Sequence, residues 1–165
     1  MHTEDFDYDL PPDLIASHPL AERSASRMMV INREEGTITH HRFCDLPTFV
    51  RENDLFVFND TRVVPARVHG RKMTGGAVEV FFVEPTGPTR FKAMVRGKRL
   101  RPGTELVLPG VEAATLLARH DDRTVEIEVA GVDDLWAWLD AQGEVPLPPY
   151  IQRTPDAADR ERYQS

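Results

Sequence analysis

Four consecutive polar residues, Asn59, Asp60, Thr61 and Arg62, place an amide, a carboxylate, a hydroxyl and a guanidinium group in one short stretch. They follow the apolar run at 55–58, whose length and composition predict a buried central strand. Ligands of α/β folds commonly bind at the ends of such strands, so this stretch is a candidate ligand site. An Asx turn with an ion pair between Asp60 and Arg62 explains the same residues without a ligand.

A second candidate site is electrostatic, because the positive charge of the chain is concentrated in one segment. Residues 62–101 contain ten lysine or arginine residues and two acidic ones, whereas the rest of the chain contains ten basic and twenty-five acidic residues. Such asymmetry is typical of a protein that holds a phosphate backbone. A solvated basic surface beside an acidic one explains it equally well. The densest cluster of cations is Arg96, Lys98, Arg99 and Arg101.

The elements that must position these groups are predicted to be mainly strands. Apolar or alternating runs lie at 77–84, 90–95, 105–108, 113–118 and 124–129, with turns rich in Gly, Pro or Asp between them. Strand spacing of this kind is typical of a small barrel or sandwich. Clean alternation at 124–129 predicts that one face of that strand is wet.

Elements of other kinds are predicted on both sides of these strands. The pattern at 28–40 predicts a hairpin whose turn uses Gly36 at positive φ. Asp45 is a candidate N-cap for a short helix. A second, amphipathic helix is expected at 135–141, ending at Gly143, and at least one of its two tryptophans should pack in the core.

The composition indicates a folded chain: of its 165 residues, 41% are hydrophobic and 28% are charged. Its one cysteine, Cys44, excludes an internal disulfide and a cysteine-rich zinc site, and we expect it to be a small buried apolar residue. The first ten residues are acidic and resemble no targeting signal, and no apolar run has membrane length. We therefore expect a soluble cytoplasmic protein with no metal and no contact with a membrane.

Several motifs occur in one order along the whole chain. They are FNDTRVVPARVHGRK at 58–72, TGGAVEVFFVE at 74–84, AMVRGKRLRPG at 93–103, GEVPLPPYIQR at 143–153 and DRERYQS at 159–165. The chain opens with YDLPPDLIASHPLAERSASRMMV at 8–30. Together these segments resemble one family, the S-adenosylmethionine:tRNA ribosyltransferase-isomerases of queuosine biosynthesis, or QueA family.

The resemblance implies an α/β fold with an inserted β-barrel domain. Residues 1–62 would be the N-terminal part of the α/β domain, residues 63–145 the inserted barrel, and residues 146–165 a truncated connector returning to the α/β domain. Family chains are considerably longer than this one. We therefore expect this chain to be incomplete and inactive by itself. Because the inserted barrel makes up much of it, we also expect it to be β-rich.

The resemblance also implies a reaction. The ribosyl moiety of S-adenosylmethionine is transferred to 7-aminomethyl-7-deazaguanine at the tRNA wobble position and isomerised to give epoxyqueuosine, with adenine and methionine released. S-adenosylmethionine is thus a consumed ribosyl donor, tRNA is the partner, and a monomer without metal is expected. Two other hypotheses remain open on the sequence: a non-catalytic RNA-binding barrel, and a free-standing regulatory or structural remnant.

The implied chemistry needs a general base, a group that holds the sulfonium, and donors to the ribose hydroxyls. Asp60 suits the base or the sulfonium partner, and Arg62 is the second candidate catalytic residue. A histidine before a proline is also commonly a structural residue, so the place of His18 is open. The candidate substrate-binding residues are Asn59, Thr61, Arg67 and His18, and the candidate tRNA-binding residues are Arg96, Lys98, Arg99 and Arg101.

Overall fold

The structure is a computed structural model, and it describes residues 2–164. The chain divides into two compact units. The N-terminal unit contains the chain up to Asp60 together with Pro149–Arg153. The barrel unit contains Thr61–Pro148 and the chain from Thr154 onward. The chain therefore passes from one unit to the other within the polar stretch at 59–62.

The N-terminal unit contains one antiparallel hairpin. Strand β1 is Arg27–Asn32 and strand β2 is Thr37–Arg42, with Met29 opposite His40. The tight turn between them places Gly36 at φ 65°, a conformation that glycine adopts without the steric cost of a Cβ. The predicted hairpin and the role of its glycine are both confirmed.

The helices of this unit are all 3-10 helices: Thr3–Phe6, Pro12–Leu14, Arg23–Ala25 and Phe43–Phe49. The helix predicted after Asp45 thus begins earlier, with Arg42 as its N-cap. The carboxylate of Asp45 lies inside the first turn and accepts the backbone N–H of Arg42 at 2.9 Å. The prediction that Asp45 is the N-cap was wrong, because an acidic side chain in the first turn can reach back to the cap residue.

The apolar run at 55–58 is not a buried strand. The structure assigns no strand to it, and Leu55, Val57 and Phe58 are 89%, 88% and 77% exposed. An apolar run is buried as a central strand only when strands pair with it on both sides. Among the described residues of this unit, only the β1–β2 hairpin forms a sheet, and no residue is buried. Cys44 is exposed as well, so the prediction that it is buried was also wrong.

The barrel unit is a closed antiparallel barrel in the order β3-β4-β5-β8-β7-β6, which confirms the β-rich fold class with its barrel. Closure comes from pairing between β3 and β6, where Lys72 lies opposite Leu106. Strand β3 was not predicted from the sequence. The barrel strands are β3 (Arg67–Lys72), β4 (Ala77–Pro85), β5 (Arg90–Arg96), β6 (Glu105–Val107), β7 (Ala113–Arg119) and β8 (Val125–Ala130).

Strand alternation builds the barrel core. In β8, Val125, Ile127 and Val129 are fully buried, whereas Glu126 and Glu128 are only partly buried. The same alternation buries one face of β4 and β5, including Val80. Each such aliphatic side chain contributes about 1.5–3 kcal/mol when it leaves water. The interior is therefore filled with side chains and is not an open channel.

Helix α1, Leu135–Gln142, packs on the barrel core. Its N-cap, Asp134, accepts the backbone N–H groups of Trp136 at 2.9 Å and Ala137 at 3.2 Å. Trp138 is buried and donates its indole N–H to the carbonyl oxygen of Pro109 at 2.8 Å, whereas Trp136 is 52% exposed. The helix and the prediction of one core tryptophan are confirmed.

A short helix, α2 (Asp159–Arg162), ends the described chain beside α1. The Arg160 guanidinium donates to the carbonyl oxygens of Asp140 at 2.5 Å and Gly143 at 2.7 Å. These bonds satisfy carbonyls at the C-terminus of α1, which has no intrahelical donors for them. No helix within residues 2–164 has both the length and the apolar character needed to cross a membrane.

Candidate functional site

The polar stretch lies on exposed, irregular chain. Asn59 and Asp60 are the last residues of this part of the N-terminal unit, and Thr61 and Arg62 are the first of the barrel unit. All four side chains are exposed, and residues 50–58 directly before them form no strand. The expectation that a buried strand positions them was therefore wrong.

The residues after the stretch are fixed to the barrel unit. The side-chain amide of Gln164 accepts the backbone N–H of Val63 at 2.9 Å and donates to its carbonyl oxygen at 3.3 Å. Arg62 forms an ion pair with Asp140 of α1, with 3.8 Å between Nη2 and Oδ1. Both side chains are largely exposed, so this pair orients Arg62 more than it stabilises the fold.

The apolar half of the same motif lines a cavity in the barrel unit. This cavity has a volume of about 300 Å³, and Val63, Val64 and Ala66 form one side of it. Strand β4 and helix α1 form the other sides, with Phe81 and the exposed Trp136 among the lining residues. The polar residues were predicted to form the site, whereas the cavity is lined by the valines that follow them. In the sequence, the only sign of a cavity wall in this helix was its pair of tryptophans.

Arg67 is held mainly by the fold. It begins β3, and its backbone pairs with that of Glu144. Its guanidinium donates to the carbonyl oxygen of Leu147 at 3.5 Å and lies 4.0 Å from the Glu79 carboxylate. Among the described residues, none forms a hydrogen bond with the buried Nε atom. These contacts join β3 to the chain that follows α1, and a contact between Arg67 and substrate stays a prediction.

His18 belongs to the N-terminal unit and is exposed. Its Nδ1 atom lies 3.2 Å from the hydroxyl of Ser17, and the carbonyl oxygen of Ser17 accepts a hydrogen bond from Arg153 at 2.7 Å. The Ser17–His18 segment is thereby joined to the Pro149–Arg153 segment within the same unit. This contact gives His18 a defined backbone position, and its contact with substrate stays a prediction.

The ten cations of the basic segment fall into two groups. Four have a carboxylate within 4.0 Å: Arg62, Arg67, Arg90 and Lys92. For the other six, no ion pair is present among residues 2–164, so their charge is not balanced by a neighbouring acid. These six, which we call the unpaired cations, are Arg71, Lys72, Arg96, Lys98, Arg99 and Arg101.

The unpaired cations lie at one end of the barrel. Strand β3 ends at Lys72, and β5 ends at Arg96, opposite Glu79 near the start of β4. In antiparallel strands, the end of one strand and the start of its neighbour share an edge, so these residues and the 97–101 loop lie together. The loop cations were predicted from the sequence, but Arg71 and Lys72 were not, because they are distant along the chain and strand pairing brings them there.

The paired cations of β5 lie toward its other end. Lys92 contacts Asp122 at 2.9 Å and Glu84 at 3.7 Å, and Arg90 contacts Glu128 at 3.3 Å. Hydrogen bonds from Lys92 and then from Thr124 hold the pKa of the Asp122 carboxyl well below its usual range. The hydrogen bond to Asp122 likewise raises the pKa of Lys92. Lys92 is therefore engaged with acids and is a poor candidate for binding phosphate.

Comparisons with known proteins agree with the resemblance of the motifs. The sequence model of the family described as "Queuosine biosynthesis protein" matches residues 3–165. Similar curated proteins include the S-adenosylmethionine:tRNA ribosyltransferase-isomerases of Pelobacter propionicus, Citrifermentans bemidjiense and Aquifex aeolicus, at 44%, 43% and 39% identity. Each alignment covers 100% of this chain and 49% of the relative, so the chain spans about half the length of these proteins.

A solved structure is also similar in sequence. It is the crystal structure of S-adenosylmethionine tRNA ribosyltransferase from Thermotoga maritima, with 34% identity and a TM-score of 0.41. The similarity covers 84% of this chain and 48% of that one. The family assignment rests on the match of the sequence model, which spans almost every residue, and not on this superposition. The chain belongs to the queuosine biosynthesis protein family.

Proposed function

We propose that this chain is the N-terminal portion of an S-adenosylmethionine:tRNA ribosyltransferase-isomerase. The observation that carries the proposal is the family match over residues 3–165, together with 39–44% identity to curated relatives of that name. The reaction would transfer the ribosyl moiety of S-adenosylmethionine to 7-aminomethyl-7-deazaguanine at the tRNA wobble position and isomerise it to epoxyqueuosine. Adenine and methionine would leave, and no metal would take part.

The cavity beside the motif supports a substrate site in the barrel unit. Its volume of about 300 Å³ lies at the lower limit of ligand pockets, and its walls are largely apolar. A planar heterocyclic ring fits such walls, and Trp136 offers it an aromatic face. Arg62 precedes the lining residue Val63 and is held toward α1 by Asp140. This arrangement supports a ring in the cavity and a polar or charged group beside Arg62.

The roles proposed for the polar residues follow from their chemistry. Asp60 is a carboxylate on exposed chain and can accept the proton beside the sulfonium or hold its positive charge. Asn59 and Thr61 can hydrogen-bond ribose hydroxyls. Arg67 and His18 complete the proposed substrate contacts. The proposed partners are tRNA and S-adenosylmethionine, and the proposed location is the cytoplasm, which suits a chain with one exposed thiol.

A chimera tests the function. This chain would replace the matching half of the Pelobacter propionicus relative, with which it shares 44% identity. We expect the chimera to release adenine from S-adenosylmethionine when supplied with tRNA that carries 7-aminomethyl-7-deazaguanine, and the isolated chain to release none. A chimera that folds and binds tRNA but releases no adenine would contradict the proposal. Adenine release by the isolated chain would contradict only its predicted inactivity.

A non-catalytic RNA-binding barrel is the second candidate function. The six unpaired cations at one end of a closed barrel favour it, because they offer positive charge without any catalytic group. The same chimera separates the two candidates. Adenine release supports the enzyme, whereas tRNA binding without adenine release supports the binding module.

A further inference from the structure

We propose that a pocket at one end of the barrel holds a phosphodiester group of the RNA partner, with Lys72, Arg99 and Arg101 as its cationic walls. The inference rests on the proposed function in one respect, which is that the RNA partner is taken to be tRNA. It adds Lys72 to the nucleic-acid contacts and distinguishes cations that line the pocket from the neighbouring Arg96 and Lys98, which do not.

The pocket lies between the β3–β4 turn and the loop that connects β5 to β6. It has a volume of about 450 Å³ and is lined by Lys72, Met73 and Thr74 on one side and by Arg99 and residues 101–105 on the other. Three of its lining side chains are cationic, and the only lining carboxylate is that of Glu105. The pocket therefore carries net positive charge, which favours an anion.

Within residues 2–164, Lys72 forms no ion pair with an acid. Its ammonium group donates one hydrogen bond, at 3.1 Å, to the carbonyl oxygen of Lys98. An ammonium group has three donors, so two remain for a ligand after this bond is made. The bond also joins the β3–β4 turn to the opposite wall, across 26 residues of sequence. Lys72 is thus positioned before any ligand arrives.

The opposite wall is equally well defined. Leu100 is buried, and its carbonyl oxygen accepts a hydrogen bond from the Arg119 guanidinium at 2.7 Å. The Thr104 hydroxyl donates to the carbonyl oxygen of Arg101 at 2.7 Å, and Gly103 donates its backbone N–H to Leu116 at 2.8 Å. A wall held by so many backbone contacts loses little conformational freedom on binding, which favours affinity.

Arg99 has an unusual backbone. Its φ of 55° lies in the left-handed region, which a residue with a Cβ occupies at a cost. Strain of this kind persists where surrounding structure imposes it, and it clusters at sites that clamp ligands. Here the buried Leu100 follows directly and fixes the turn. This turn gives Arg99 a defined backbone position in the pocket wall.

Phosphate is the anion that this lining fits best. Arginine pairs bidentately with phosphate oxygens, and lysine binds phosphate as a point charge. The wall also supplies the hydroxyl of Thr74 as a further donor to phosphate oxygens. Contacts of this class position a nucleic acid without selecting its sequence. A free phosphate would use the same groups, so the experiment includes it as a separate probe.

The test measures binding of the full chain to unmodified tRNA over a series of salt concentrations. The variant Lys72→Gln/Arg101→Gln removes two cations of the pocket. The matched control Arg90→Gln/Lys92→Gln removes two cations that are already paired with acids. We expect the pocket variant to bind about tenfold more weakly and to lower the slope of log K against log salt by about one, as for one lost phosphate contact.

A conservative variant and a measurement of folding complete the test. Lys72→Arg retains the charge and should retain the wild-type slope, and thermal unfolding identifies any variant that has lost its fold. A pocket variant with the wild-type slope, an equal loss in the control, or no binding of tRNA by the wild type would each overturn the inference. Binding of inorganic phosphate without binding of tRNA would also overturn it. Adenine release by the chimera reports on the proposed function separately, so the two can fail independently.

Discussion

At the residue scale, the chemistry of this chain depends on which polar groups are already engaged by neighbours. Arg62 contacts Asp140, and Arg67 contacts Glu79 and Leu147. Asp60 lies on exposed chain, where its substitution disturbs no core packing. Residues that can be changed without unfolding the protein are the best tests of a catalytic role, because loss of activity is then not loss of fold.

Asp60→Asn in the chimera should abolish adenine release. A positioned general base contributes about 10²–10⁴-fold to rate, and the amide cannot accept a proton as the carboxylate does. The side chain is exposed, so the melting temperature should stay within a degree or two of the parent, as is usual for surface changes. Steady-state release of adenine measures the first effect and circular dichroism the second. Asp54→Asn provides the matched control, and full activity in Asp60→Asn would remove Asp60 from the catalytic residues.

A second prediction at this scale concerns pH and Asp122. Its folded pKa is lowered, chiefly by the hydrogen bonds from Lys92 and Thr124, so the stabilisation from its charged form is present above its unfolded pKa. That stabilisation is lost as pH falls below about 4, where the unfolded carboxyl takes up a proton first. Asp122→Asn should therefore unfold more easily than wild type at pH 7, and the difference should shrink towards pH 2. Urea unfolding at several pH values measures it; a constant difference would contradict the assignment.

At the element scale, helix α1 links the barrel core to the candidate substrate cavity. Trp138 and Leu139 are buried in the core, and Leu139 also lines the cavity together with Leu135 and Trp136. A shift of this helix would therefore alter the cavity walls and the partner of Arg62 together. The N-cap at Asp134 is the local contact on which the start of the helix depends.

Asp134→Ala should destabilise the barrel unit by about 0.5–2 kcal/mol, because two backbone N–H groups lose their acceptor. Asp133→Ala is the matched control, since Asp133 is exposed and lies one residue before the cap. The control should change the free energy of unfolding by less than about 0.5 kcal/mol. Denaturant unfolding followed by tryptophan fluorescence measures both, because the buried Trp138 is exposed to water on unfolding. Equal effects of the two changes would show that the cap contributes nothing specific.

Prediction from sequence succeeded where an element specifies its own environment. The alternation of Val125, Ile127 and Val129 predicts both the strand and its buried face, and Gly36 predicts its turn. Strand β3 was missed because its sequence, RVHGRK, carries polar side chains on its outer face and a glycine on its inner face. The prediction of a buried strand at 55–58 was wrong for the opposite reason. The run is apolar, but its composition does not show whether a partner strand is present.

The candidate site shows the same limit. The polar residues of the FNDTR stretch were recognised from their types, but the cavity is lined by the valines that follow, and only contacts with α1 and β4 reveal it. The cations of the 97–101 loop were also predicted from the sequence. Lys72 lies near this loop only because β3 pairs with β6. Neutralisation of a cation by an acid depends on which side chains are neighbours across strands. A count of charges along the chain does not show these neighbours.

At the scale of the whole molecule, the two units differ in how their stability arises. The barrel unit buries a continuous aliphatic and aromatic core, whereas no described residue of the N-terminal unit is buried. Local opening costs least where few apolar contacts are broken and backbone groups face water. The two units should therefore differ in protection against hydrogen exchange even though they belong to one chain.

Native-state hydrogen exchange followed by mass spectrometry tests this difference. Amides of the barrel strands, including those of β8, should exchange only through extensive unfolding of the barrel, because each is hydrogen-bonded over a buried core. Amides at 43–58 should exchange orders of magnitude faster, and those of the β1–β2 hairpin should lie between, since cross-strand bonds protect them without a core. The measurement should be repeated at several protein concentrations. Protection at 55–58 that equals that of β8 at every concentration would contradict the exposed, unpaired state of this apolar run. Protection that grows with concentration would instead show that the run binds a second copy of the chain, because an exposed apolar strand is a template for association.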